Sequence, residues 1–129
     1  MHIETDIKLD FRDVLIRPKR SVLTSRSDVD ITRTFHFRHS HAEWSGFPLI
    51  ASNMDTVGTF EMAKGFESFK ALVALHKYYS VEELIGFFRG EISRQAFFTI
   101  GTSLDDWDKL TKVKQQAPIA MINIDVANG

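Results

Sequence analysis

The sequence contains no cysteine. A disulfide, a thiolate nucleophile and a zinc–thiolate site are therefore excluded from its own residues. Net charge is also nearly lacking, at −1, so no overall pull toward nucleic acid or an anionic membrane is expected. Long apolar runs are missing: nothing approaches the roughly 20 residues that span a bilayer. The opening residues, MHIETDIKLDF, lack the apolar core of a secretory signal. No Walker motif, GxGxxG or spaced Ser-His-Asp set is present. The lack of disulfides fits a cytoplasmic protein. What is present is a globular composition, 43% hydrophobic and 26% charged, in a chain long enough for one ordinary domain.

The chain changes its pattern near Pro48. Residues 1–47 form an irregular segment. KLDFRDVLI ends at Arg17-Pro18, where the residue before proline disfavours helix, and the basic, Ser-rich stretch RPKRSVLTSRSD follows. DVDITRTFHF alternates apolar and polar residues and predicts a strand, and HSHAEWSGFP reads as a loop.

From Pro48 onward strands alternate with helices. Short apolar strands are predicted to start near residues 49, 71, 96 and 119. Between them, TFEMAKGFESF has helical apolar spacing. Ser80-Val81-Glu82-Glu83 is a capping box that starts a helix to about Arg89. Ser103-Leu104-Asp105-Asp106 starts another, to about Gln116. Apolar strands joined by helical crossovers indicate a parallel sheet covered by helices. A full (β/α)8 barrel takes about 250 residues and eight such units. Units at this spacing suit either a doubly wound sheet or a TIM barrel. Four strands and three helices look like half of a barrel, so the expected fold class is α/β: a half TIM barrel over residues 48–129, preceded by the segment 1–47 with its short β element. A small doubly wound domain of unrelated function is the other reading of the alternation.

In parallel α/β folds ligands bind at the carboxyl ends of the strands. Four polar loops fall there: Ser52-Asn53-Met54-Asp55-Thr56, His76-Lys77-Tyr78, Gly101-Thr102-Ser103 and Asp125-Val126-Ala127-Asn128. Lys77 suits a phosphate or developing negative charge, and equally a solvated loop. Asp125 suits sugar hydroxyls, and equally the cap of a following helix. Met54 suits a flat base, although core filling is the commoner use of methionine. His36, His39 and His41 sit close together, but with no cysteine beside them a surface loop is the better reading than a metal site. The basic run Arg17-Pro18-Lys19-Arg20 with Arg26 reads as a solvated arm.

LDFRDVLIRPKRS, SRSDVDITRTF, ASNMDTVGTFEMA, HKYYSVEE, GTS and DVANG, in this order along essentially the whole chain, resemble the IMP dehydrogenase/GMP reductase family. The reductase branch is favoured by RPKRS and HKYYS. It is also favoured by the direct run from His76 into the helix at Ser80, where dehydrogenases typically insert regulatory domains. The resemblance implies a TIM barrel, usually tetrameric, in which NADPH converts GMP to IMP with release of ammonia. It assigns Ser25, Arg26, Lys77, Asp125, Val126 and Ala127 to NADPH, and Ser52 and Met54 to the purine nucleotide. Ser52 stands where reductases more often carry Ala, and Tyr78 where His is common. The family's catalytic Cys, its neighbouring Thr, its K+ site and a later Glu are expected beyond Gly129. Those expectations make the 129-residue chain inactive alone, a partner of its missing barrel half or part of a homo-oligomer. A non-catalytic half barrel that binds purine nucleotide or NADPH, or that docks on a full-length relative, is the alternative.

Overall fold

The computed structural model describes residues 5–127. The chain divides into two compact units, Met1–Asp30 and Ile31–Gly129.

In the first unit local hydrogen bonding does the ordering, since none of its described residues is buried. A 3-10 turn, Phe11–Asp13, is capped by Asp10, and Asp13 reaches back to the Asp10 N–H. A second, Arg26–Asp28, is capped by Ser25 and Asp28 in the same reciprocal way. Each box satisfies two backbone donors that a short turn leaves unpaired.

The second unit begins with a hairpin. Strand β1 (Arg33–His36) pairs antiparallel with β2 (Glu43–Gly46). This corrects the reading of HSHAEWSGFP as a loop: four of its residues form a strand. Cross-strand pairs supply the reason. Phe35 stacks on Trp44 at 6.0 Å, Thr34 donates to Ser45 at 3.0 Å, and His36 Nδ1 lies 3.2 Å from Glu43. The chain reverses through His41, whose φ of 56° is left-handed.

The rest is a four-stranded parallel sheet in the order β3 (Ile50–Ala51), β4 (Leu72–Ala74), β5 (Ala96–Ile100) and β6 (Met121–Ile124). The crossovers carry helices α1 (Phe60–Phe66), α2 (Val81–Phe88) and α3 (Leu104–Lys114). Helix starts follow the cap residues: Thr59, Ser80 and Ser103 each accept a backbone N–H of the first turn. Short 3-10 turns, Glu67–Phe69 and Glu91–Gln95, complete two of the crossovers.

Register fixes which face each strand residue takes. Val73 pairs with Ala96, Phe98 with Ile122 and Ile100 with Ile124. Val73, Phe98 and Ile100 join Leu75, Leu84, Phe88, Leu110 and Val113 in the core between sheet and helices. Phe88 and Phe98 are each 1% exposed, and burying such a side chain contributes about 1.5–3 kcal/mol. On β6 the same face is uncovered: Ile122 and Ile124 are 45% and 56% exposed. The opposite face carries Phe97 beside Met121 and Thr99 beside Asn123, whose amide donates to the Thr99 hydroxyl at 3.2 Å. This is half of a (β/α)8 barrel.

Candidate functional site at the strand ends

The loops after β3, β4, β5 and β6 gather at the carboxyl edge of the sheet. The first is a tight turn. Met54 O accepts from Val57 N at 2.9 Å and from Gly58 N at 2.7 Å. Gly58 then crosses the end of β4. A Cβ there would lie 2.2 Å from Ala74 O and 2.9 Å from Ser52 O, so only glycine lets the backbones meet. The contact is locked by His76 N donating to Gly58 O at 2.8 Å.

The second loop, His76 to Tyr79, is held from two sides. His76 stacks on Tyr79 at 4.0 Å, Tyr79 on Phe60 at 3.7 Å, and Phe60 on Phe87 at 4.4 Å. The Tyr79 hydroxyl also accepts from Phe60 N at 3.1 Å. From the other side Lys109 of α3 donates to Lys77 O at 2.8 Å and to Tyr79 O. Burial pushes the Lys109 ammonium below its ordinary value, and the charges of Asp106 and Glu83 work the other way.

At the third loop Ser103 Oγ donates to Asp106 at 2.6 Å and accepts from Asp106 N at 3.2 Å. The Ser103 hydroxyl, with a smaller contribution from the Lys77 charge, holds the Asp106 carboxyl below the usual range. The carboxylate lies over Gly101, where an added Cβ would meet it at 2.7 Å. At the fourth, Asp125 N donates to Ile100 O at 2.8 Å, extending the ladder past β6. Asn53 Nδ2 donates to Asp125 Oδ2 at 2.9 Å, so residues 72 apart in sequence join the first strand end to the fourth.

Of the residues singled out in the sequence, Ser52, Met54, Lys77, Asp125, Val126 and Ala127 all stand at this edge, and all are exposed. Met54, at 59% exposed, is not core filler. Asn128, the last residue of the fourth loop reading, lies outside the described residues. Ser25 and Arg26 belong to the first unit, where Ser25 caps the 3-10 turn and Arg26 is exposed. His36 is engaged with Glu43, and no group of three His, Cys, Asp or Glu among the described residues could hold a metal ion. No helix among the described residues is long and apolar enough to cross a membrane.

Sequence reasoning missed two features. Lys109 was unremarkable as one lysine of an amphipathic helix. An apolar groove of about 620 Å³ between the hairpin and the amino ends of β5 and β6, lined in part by Phe37, Trp44, Phe97 and Met121, carried no motif.

No family model matches the chain. Curated relatives do. GMP reductase of Klebsiella pneumoniae is 50% identical and that of Citrobacter koseri 52% identical, each across 100% of this chain. The chain spans 38% of the length of these relatives. Among solved structures, inosine 5′ monophosphate dehydrogenase from Legionella pneumophila superposes with a TM-score of 0.67 at 26% identity, covering 91% of this chain and 35% of that one. The chain therefore matches, from end to end, a part of a protein of the IMP dehydrogenase/GMP reductase family, on the reductase side.

Proposed function

We propose that this chain supplies the cofactor-facing and purine-facing edge of a GMP reductase, an enzyme that converts GMP to IMP and ammonia at the expense of NADPH. The observation that carries this reading is the match to GMP reductases over 100% of the chain, which includes every strand-end loop described above. The edge residues suit the ligands. Lys77 offers an exposed ammonium for a phosphate. The Asp125 carboxylate, oriented by Asn53, suits ribose hydroxyls, with Val126 and Ala127 giving the ligand a short apolar backing. The family resemblance gives Ser25 and Arg26, in the first unit, as further NADPH-contacting positions. Ser52 and Met54 face the purine nucleotide, the thioether packing on the flat base. NADPH, when bound, supplies the hydride that reduces the purine.

None of the 129 residues is a cysteine, so the thiol that opens the family's reaction comes from outside them, and the family resemblance puts its Thr, its Glu and the K+ site there too. The chain by itself is inactive and works joined to the complementary barrel half, in a cytoplasmic homo-oligomer serving purine nucleotide salvage.

The test is a chimera in which this chain replaces the matching segment of the Citrobacter koseri enzyme. NADPH absorbance should fall when GMP is added to the chimera, should stay flat with the isolated chain, and should fall far more slowly after Lys77→Met. A folded chimera that leaves NADPH untouched, or oxidises it without GMP, sinks the reading.

A further inference from the structure

The loop that carries Lys77 is tied down by Lys109 of α3, a residue that has been given no role toward any ligand. Lys109 reaches from α3 to two carbonyl oxygens of this loop, those of Lys77 and Tyr79. An ammonium is strongly hydrated, and drawing it into a half-buried site is costly unless its protons find good acceptors. Here two backbone carbonyls from one turn converge on it. They could not do so if the turn rearranged, so the ammonium selects one backbone conformation at residues 77–79.

That conformation matters for Lys77 because its own side chain is exposed. The loop backbone fixes where that side chain starts, and the charge of Asp106 is close enough to act on its ammonium. The flanks of the loop are fixed by the stack of His76 on Tyr79 and by His76 N on Gly58 O. Lys109 acts on the segment between them. It does so without belonging to the core: Leu110 and Val113 make the apolar contacts of α3, so removing the ammonium leaves the helix its packing.

We propose that Lys109 is the positioning residue for Lys77, fixing through the carbonyls of Lys77 and Tyr79 the loop that presents Lys77 to the cofactor. The cofactor's part in this rests on the function proposed above; the tie between Lys109 and the loop does not.

Two measurements on the full chain separate the two. The first is amide hydrogen exchange in the wild type, Lys109→Met and Lys109→Arg. The methionine keeps the stem and loses the donors. Exchange across residues 76–80 should rise about tenfold to a hundredfold, the range set by charged hydrogen bonds, with β5 unchanged. Arginine should recover most of the protection. Unchanged loop exchange overturns the proposal, and so does an equal rise in β5, which would make Lys109 a general stabiliser. The second is NADPH fluorescence titration of K77M, K109M and the double variant. If Lys109 acts through Lys77, the double variant binds no more weakly than K77M alone. Losses that multiply overturn the proposal. Failure of the wild type to bind NADPH, with loop exchange responding as expected, removes the cofactor reading and leaves the positioning of Lys77 established.

Discussion

Gly58→Ala tests the geometry that brings the first two strand ends together. The new Cβ would stand 2.2 Å from Ala74 O, 2.9 Å from Ser52 O and 3.0 Å from Asn53 Cα. All three are backbone atoms, so no side chain can swing aside. Overpacking a filled site typically costs about 1–3 kcal/mol. If the loop also lifts, His76 N loses its acceptor at Gly58 O, and an unpaired N–H near the sheet costs about 1–3 kcal/mol more. A total near 3 kcal/mol lowers the melting temperature of a domain of this size by roughly 12–24 °C. Gly65 is the control. It lies in α1 with nothing within 4 Å of an added Cβ, so Gly65→Ala should stabilise by about 0.5–1 kcal/mol through helix propensity. Circular dichroism melts of both variants at one protein concentration should fall on opposite sides of the wild type. If G58A melts with G65A or with the wild type, the close approach at the strand ends is wrong.

Acid should weaken the helix caps. Hydrogen bonds from Ser80, the backbone N–H first, hold the Glu83 carboxyl below its ordinary 4.5, and the Ser103 hydroxyl holds Asp106 below 3.8. Depressed folded-state values mean that the unfolded chain takes up protons first. The stabilisation is therefore whole above the ordinary values and lost as pH falls through the lower folded ones. Urea midpoints measured from about pH 5 to pH 3 should fall less steeply in E83Q/D106N than in the wild type. The Asn53–Asp125 bond is exposed, so a double-mutant cycle of N53A and D125A should give a coupling of only about 0.5 kcal/mol; zero coupling would mean that the two strand ends do not meet. The uncovered edges of β3 and β6, with Ile122 and Ile124 exposed, should drive association. Sedimentation should show dimers or larger species, and a single monomeric boundary at all concentrations would contradict this.

The parallel unit was legible because its signals are local. Strands such as AFFTI are nearly continuously apolar, and Ser80 with Glu83, or Ser103 with Asp106, mark helix starts by the same hydrogen bonds that the structure contains. Strand β2 was not legible. Glu43-Trp44-Ser45-Gly46 is too short and polar to show a period of two, and its stability comes from Phe35 and Thr34 across the hairpin. The site was partly readable. Strand-end position picked out Lys77 and Asp125, because topology alone places such residues on one edge. The Asn53–Asp125 contact spans 72 residues and leaves no local trace. Lys109 was invisible for another reason: it binds backbone carbonyls, which every residue possesses, so nothing in its target identifies it.

The proposed function puts NADPH at the strand-end edge and not in the groove beneath the hairpin. Amide chemical-shift mapping of the chain during NADPH titration addresses it most directly. Shifts concentrated at Lys77 and from Asp125 to Ala127, with Phe37 to Trp44 unmoved, are the predicted result. Shifts confined to the hairpin groove, or none at saturating NADPH, would rule out cofactor binding at the strand ends.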